Sequence, residues 1–360
     1  MHLSTVHQPH DNRILNKEGL ALARAGLEPV LVVGTQDEET FRGVHIVPIK
    51  RRSRVARLVL SQAEAWQRLR SLQPALLQVH DPELVPMALV WGRLHDCRVV
   101  FDAHEDLVGQ IETKPYLSGP GKVVARAYAK VLVHLAARHA DGIVAATEPV
   151  AATFGERDEV VVVRNVPWLG DFPEGGAKPV VGRAIYAGDL TMERGLQTMV
   201  DVMARLPEAD LVLAGRPLRE ANQVVEHLPE GITHVGLVPP TEVPALVSTA
   251  QVGLIFLKRL PNYERSLPTK VFEYMAAGVP FLATDFPAWK ELFGGFDAGV
   301  FVDTDDVEAT AAALDAMLRD PQRCAEMGAN GRRAIERHFR FEDEAPKLVD
   351  FTRRLMEGTR

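Results

Sequence analysis

Short apolar, β-branched runs recur along the chain, separated by stretches whose apolar positions take helical spacing. Val30-Leu31-Val32-Val33, Leu76-Leu77-Gln78-Val79, Arg98-Val99-Val100-Phe101, Gly142-Ile143-Val144-Ala145 and Val160-Val161-Val162-Val163 are too evenly apolar for strands with one wet face. They read as strands of a parallel sheet covered on both sides. Met1 to Val6 reads as a strand ahead of them. The series pauses over the Pro- and Gly-rich stretch 166–179, which suits a linker, and then resumes. Ala184 to Gly188, Ala209 to Gly215, His234 to Gly236, Val252 to Phe256 and Pro280 to Thr284 form a second set of expected strands. Helices are expected around 194–205, 242–250 and 268–277. From Asp306 to Met356 the spacing is helical, interrupted at Asp320-Pro321 and Phe339-Arg340-Phe341. The alternation predicts an α/β fold with two Rossmann-like, doubly wound parallel-sheet domains, 1–168 and 169–340, and a final helix over 341–360 returning to the first. Ligands of such sheets bind beyond the carboxyl ends of the strands, so a cleft between the domains and the loops after each strand are where chemistry is expected.

At 360 residues the chain exceeds one hydrophobic core, in keeping with two domains. No apolar run approaches the ~20 residues that cross a bilayer, and the first residues lack the basic start and apolar stretch of a signal peptide, which predicts a cytoplasmic protein. The two cysteines, Cys97 and Cys324, lie far apart without metal spacing and read as buried, inert thiols. The net charge of −7 is carried beyond Trp168. Basic residues concentrate earlier, in Lys50-Arg51-Arg52-Ser53-Arg54 with Arg57, and in Lys122, Arg126, Lys130 and Arg138 around His134. Two readings stay open for this basic surface, a solvated face or peripheral contact with anionic lipid at the inner face of the membrane. Nucleic acid is not expected, because no basic groove interleaved with aromatics accompanies these residues.

Two loops stand out. Gly188-Asp189-Leu190-Thr191-Met192-Glu193-Arg194-Gly195 follows an expected strand and precedes a helix. Backbone N–H groups at that helix start, with Arg194 beside them, would form an anion site. In Ser266-Leu267-Pro268-Thr269-Lys270-Val271-Phe272-Glu273-Tyr274-Met275-Ala276-Ala277-Gly278, Pro268 fits the first helical turn and Gly278 the end. Lys270 then falls at the positive end of the helix, unfavourable for a cation unless a phosphate sits in front of both. Glu273, one turn on, could accept hydrogen bonds from a ribose diol. Asp303-Thr304-Asp305 resembles a metal-binding carboxylate pair, but it precedes a helical stretch where Asp serves as an N-cap; no metal is expected. Gly188-Asp189-Leu190 lacks the spaced glycines of a dinucleotide fingerprint.

The segment Pro268 to Pro280, with Gly188 to Gly195 and Val252-Gly253-Leu254 before it, resembles a GT-B glycosyltransferase of the retaining family 4 (group 1) type. The similarity extends to His10-Asp11-Asn12-Arg13-Ile14, His80-Asp81-Pro82-Glu83-Leu84 and Phe101-Asp102-Ala103-His104-Glu105-Asp106. It implies GT-B architecture, with an N-terminal acceptor-binding domain facing a C-terminal nucleotide-sugar-binding domain. The implied activity is metal-independent, retaining transfer of a sugar from a nucleoside diphosphate to a hydroxyl acceptor, with no cofactor beyond the donor. It places Glu273 on the ribose, Arg194 and Lys270 on the diphosphate, and Gly188 and Ser266 in the donor site. His104 corresponds to the histidine beside the transferred sugar, and His7, Asp11, Arg13, His80 and Asp81 to the acceptor side, where capping and turn chemistry is the competing reading. The family's first of two glutamates is replaced by Arg265, with Glu264 out of register. The usual glycine-rich first loop is replaced by Gln8-Pro9-His10-Asp11-Asn12-Arg13. A nucleotide-sugar 2-epimerase and a silent nucleotide-sugar-binding protein are the alternatives.

Overall fold

The computed structural model describes residues 1–53, 56–112, 119–172, 178–264 and 266–358. The chain divides into two compact units, Met1–Asn165 with Phe341–Arg360, and Val166–Arg340. In the first, β1 (His2–Leu3), β2 (Val30–Gly34), β3 (Glu39–Phe41), β4 (Val44–Ile49), β5 (Leu76–Val79), β6 (Arg98–Ala103), β7 (Gly142–Ala145) and β8 (Val160–Val162) form one sheet. The strand order is β3-β4-β2-β1-β5-β6-β7-β8. In the second unit, β9 (Arg183–Ala187), β10 (Asp210–Ala214), β11 (Ile232–Gly236), β12 (Val252–Ile255), β13 (Phe281–Thr284) and β14 (Gly299–Val302) lie in the order β11-β10-β9-β12-β13-β14. The two expected parallel sheets are therefore present, with one correction. β3 runs antiparallel to β4, because the turn between them carries positive φ at Arg42 and Gly43 and folds the chain back as a hairpin.

Both sheets are doubly wound, and each has a point where the strand order reverses: between β1 and β5 in the first, between β9 and β12 in the second. Loops diverge there and leave a crevice beyond the strand ends. The central strands β5, β7, β12 and β13 are buried throughout, which is why they read as unbroken apolar runs. Cys97 and Cys324 are both buried thiols that form no disulfide. No helix among the described residues is long and apolar enough to cross a membrane.

Each unit fastens a helix to its sheet through a buried polar side chain. The helix Phe341–Glu357 packs on the first unit, where fully buried Glu344 accepts hydrogen bonds from the N–H of Arg164 at 3.1 Å and its Nε at 2.8 Å. In the second unit, Tyr274 lies flat on β12, so a Cβ on Gly253 would fall 2.3 Å from its ring. The Tyr274 hydroxyl lies 3.3 Å from the Leu254 carbonyl and 3.4 Å from that of Ile185, and accepts the Ala187 N–H at 3.3 Å. The helix Thr269–Ala276 is thus pinned across β9 and β12, at the reversal point.

Gly215 ends β10 with φ +146°, and a Cβ there would meet the Gly188 carbonyl oxygen at 1.9 Å, whereas one on Gly26, φ +79°, would meet nothing within 4 Å. Gly26→Ala should therefore cost only backbone strain, about 1 kcal/mol. Gly215→Ala must also displace backbone and should cost at least about 2 kcal/mol. Thermal unfolding of the two variants measures the difference; equal midpoints would contradict the close approach of Gly188 and Gly215.

Candidate functional site

In the second unit the loop after β9 and the start of helix Thr269–Ala276 meet. Lys270, in the first turn of that helix, lies against the backbone of Gly188: a Cβ on Gly188 would come 2.3 Å from Cε and 2.6 Å from Nζ of the lysine. Only glycine leaves that space. The Lys270 ammonium is 5.8 Å from the centre of the Tyr186 ring. Arg194 reaches the same place from the following loop, its Nη1 donating to the Asp189 carbonyl at 3.3 Å, with the Tyr186 hydroxyl on that carbonyl at 3.2 Å. Burial first, and then the positive charge of Arg194, bring the Lys270 ammonium down to about 8, against Glu273 and Asp189, which raise it. Burial also lowers Arg194, but Tyr186, Tyr263 and Asp189 outweigh it and keep the guanidinium charged. Tyr186 is itself pushed up to about 12 by burial. Two cations therefore crowd together at the positive end of a helix, an arrangement that a polyanion would relieve.

Some of the N–H groups expected at the helix start after Gly188 turn into the loop itself. Arg194 N–H and Leu196 N–H donate to Thr191, and Gly195 N–H to Met192, because Gly195 takes a left-handed conformation and closes the loop on itself. That loop presents the Arg194 guanidinium at the helix start. Glu273 is half-buried one turn beyond Lys270. Ser266 donates its hydroxyl to the Tyr263 carbonyl at 3.0 Å, and its own carbonyl accepts from Trp289 Nε1 at 2.8 Å. Arg265 lies outside the described residues. Asp303 and Asp305 sit beside Arg259, 3.2 and 3.7 Å away, and the residue that caps the next helix is Asp306, whose carboxylate accepts the Ala309 N–H at 2.9 Å.

The first unit gathers a second cluster at its own reversal point, from loops after β1, β5 and β6. Its hub is Asp102, fully buried, which sequence spacing alone did not single out. Arg13 Nη2 donates to Asp102 Oδ1 at 2.9 Å. His80 Nδ1 and His104 Nε2 reach Oδ2 at 2.8 and 2.7 Å. Burial opposes the charge of Asp102, but Arg13 and then His104 hold the carboxylate well below its ordinary range. Burial and the Asp102 charge push Glu18 well above its own, despite Arg13 Nε at 2.9 Å. A carboxylate only accepts, so His80 carries its proton on Nδ1, leaving Nε2 to accept from His2 Nδ1 at 3.0 Å. Burial lowers the pKa of both His2 and His80, and both are neutral links. His104 is directed by Asp102 through Nε2 and remains partly exposed.

His7, Asp11, Arg13, His80, Asp81 and His104 are thus brought together, though not all face solvent. Arg13, His80 and Asp81 are buried. Asp81 is consumed by Ser4 Oγ, Thr5 N and Thr5 Oγ1 at 3.0, 2.5 and 2.8 Å. Asp11 caps the next segment through the N–H groups of Arg13 and Ile14, both at 2.9 Å, and pairs with His7 Nδ1 at 2.9 Å. Burial works against both charges of that pair, yet their hydrogen bond raises His7 and lowers Asp11. The capping reading therefore describes Asp81 and Oδ1 of Asp11, while His7, Asp11 and His104 all stay partly exposed, the two imidazole rings edge-on with centres 5.1 Å apart. His80, Asp102 and His104 also converge closely enough to hold a metal ion, but the Arg13 cation already neutralises Asp102, which opposes a second positive charge there.

Asp102→Asn should lower stability by about 3 kcal/mol, because it strands the buried Arg13 cation. His104→Ala, at a half-exposed position, should cost less than about 1 kcal/mol. Urea unfolding of the two variants makes the comparison; an equal loss would contradict the role of Asp102 as the charge balance of Arg13.

Comparison with known proteins agrees with this geometry. Residues 176–334 match the family model for glycosyl transferases group 1, and residues 18–166 match that for glycosyltransferase family 4. The chain is 24% identical over 291 residues to the glycogen synthase of Mycobacterium tuberculosis, covering 77% of this chain and 68% of that one. Among solved structures it superimposes on sucrose-phosphate synthase from Thermosynechococcus elongatus with a TM-score of 0.78 at 18% identity, covering 99% of each chain. On Anabaena Alr3699/HepE in complex with UDP-glucose the TM-score is 0.73 at 14% identity, with 98% of each chain covered. With both units matched and the fold shared, the chain belongs to the group 1, family 4-like glycosyltransferases of GT-B fold.

Proposed function

We propose that this glycosyltransferase takes its sugar from a nucleoside diphosphate sugar and passes it to a hydroxyl acceptor, with retention at the anomeric carbon and without a metal. The observation that carries the reading is the approach of two cations at one loop, Lys270 against the backbone of Gly188 and Arg194 on the neighbouring Asp189 carbonyl, close enough for the Arg194 charge to lower the Lys270 pKa. Such a pair of cations suits a diphosphate. Further support comes from the solved relative that holds UDP-glucose. In this reading Glu273 accepts hydrogen bonds from the ribose diol, and the start of helix Thr269–Ala276 meets the phosphates.

The chemistry is set by where charge develops. The bond between the anomeric carbon and the departing phosphate oxygen breaks, and negative charge grows on the diphosphate. Lys270 and Arg194 stabilise that charge in place of a metal. The acceptor oxygen bonds to the anomeric carbon on the same face, and its proton passes to the departing phosphate oxygen, so the products are the glycoside and the free nucleoside diphosphate. His104, oriented by Asp102, is the histidine that the family resemblance associates with the transferred sugar.

Lys270→Ala and Glu273→Ala should each lower kcat more than about a hundredfold while leaving thermal unfolding of the empty protein close to that of the parent. A panel of nucleoside diphosphate sugars identifies the donor, since a ligand at 100 times its Kd adds roughly 2.7 kcal/mol of apparent stability. Turnover of that donor should then give a new glycoside of unchanged anomeric configuration. Undiminished turnover in both variants would remove the assignment. An epimerised free donor, or binding without any product, would replace the reaction by epimerisation or simple binding.

A further inference from the structure

We propose that the first unit docks onto a membrane surface rich in anionic lipid through an apolar face bordered by arginine and lysine. Leu58, Val59 and Leu60 stand consecutively at the start of one helical segment, and Val123, Val124 and Val131 stand on the helix Gly119–His139. All six are between 47% and 69% exposed. Isolated exposed apolar residues are ordinary, but three in a row beside a second exposed group are not.

The geometry makes the two groups neighbours. Glu83 lies in the turn Pro82–Leu84, which packs against the helix Gly119–His139. Arg57 Nη2 reaches Glu83 Oε1 at 2.9 Å, and Gln62 Nε2 donates to the Glu83 carbonyl at 2.9 Å. From the other side the same carboxylate acts on the Tyr128 hydroxyl, which burial first and then Glu83 raise above its usual range. Arg57 precedes Leu58, and Tyr128 lies one turn beyond Val124, so both apolar groups flank Glu83. On the longer helix Ala129, Leu132 and Ala136 are buried. By helical spacing Val123, Val124 and Val131 project on the opposite side, with Arg126 and Lys130 along one border and half-exposed Tyr128 on the other.

Charge selects the occupant. The helix Gly119–His139 carries Lys122, Arg126, Lys130 and Arg138 and no acidic residue, and the stretch from Lys50 to Leu60 carries Lys50, Arg51, Arg52, Arg54 and Arg57, of which Arg52 and Arg57 are paired with Glu64 and Glu83 from outside it. This lies within a chain of net charge −7. Valine and leucine at the centre, tyrosine at the margin and a basic rim match an interfacial surface: the apolar side chains enter the acyl boundary, the ring sits at headgroup depth and the cations meet lipid phosphates. Neither group is long enough to span a bilayer, so the contact is reversible. It is independent of the nucleotide site on the second unit.

The test is flotation of the full chain with vesicles of phosphatidylcholine alone and of equal parts phosphatidylcholine and phosphatidylglycerol, at low and high salt. Binding is expected to the anionic vesicles, and to weaken as salt rises. Because the residues are exposed, Val59→Ser with Val124→Ser, and separately Arg126→Glu with Lys130→Glu, should leave thermal unfolding and its shift by UDP unchanged while weakening vesicle binding by at least about tenfold. No binding to anionic vesicles, equal binding to neutral ones, or binding indifferent to both pairs of substitutions would overturn the proposal. So would a concentration-dependent dimer in sedimentation velocity that the Val59→Ser, Val124→Ser pair abolishes, since a second copy would then be the occupant.

Discussion

Two like charges held close together set the character of the second unit. Lys270 and Arg194 repel each other, and Lys270 also stands at the positive end of its helix, so the fold accepts an electrostatic cost there. The cost is imposed by rigid neighbours. Tyr274 fastens the helix across β9 and β12, and Gly188 leaves the lysine chain space that a Cβ would fill. Lys270 responds through its lowered pKa of about 8. A site strained by excess positive charge is preorganised for a polyanion, because the repulsion is relieved when the ligand arrives.

The first unit handles charge in the opposite way. Asp102 and Arg13 are buried together, and their partners use nearly every hydrogen-bonding position: Arg13 extends to Val163 O at 2.9 Å, and Asp102 takes both His80 and His104. Glu18, which shares Arg13 with Asp102, has its pKa pushed well above the ordinary range by burial and by the Asp102 charge. The result is a fixed base from which one imidazole, His104, reaches toward solvent. Both clusters lie where strand order reverses, so topology decides where the loops converge and the side chains decide what they do.

The parallel sheets were legible because their central strands are wet on neither face and read as unbroken β-branched runs. The β3–β4 hairpin escaped for a physical reason: β3 is exposed, and Pro48 interrupts β4 near its end. The first turn of helix Thr269–Ala276 was legible from Pro268 and Gly278, a local signal. The contact of Lys270 with Gly188 was not, since it joins distant parts of the chain. Asp102 was hidden in the same way, as its partners come from three different loops and no spacing encodes them. Asp81 and Asp11 looked like acceptor residues and serve largely as turn and cap ligands. The basic residues of the first unit could be counted from sequence, but the exposure of Val123, Val124 and Val131 depends on which elements fail to cover them.

The central claim is that a diphosphate settles against Lys270, and proton linkage tests it most directly. In the empty protein burial and then the Arg194 charge bring the ammonium down to about 8, so a fraction of the lysines is neutral near that pH. A bound diphosphate favours the charged form, and binding must draw in protons. Calorimetric titration with UDP at pH 8, repeated in buffers of different ionisation enthalpy, counts those protons. The account predicts net proton uptake on binding, lost in Lys270→Ala. Binding with no proton uptake, or uptake undiminished in the variant, would contradict it.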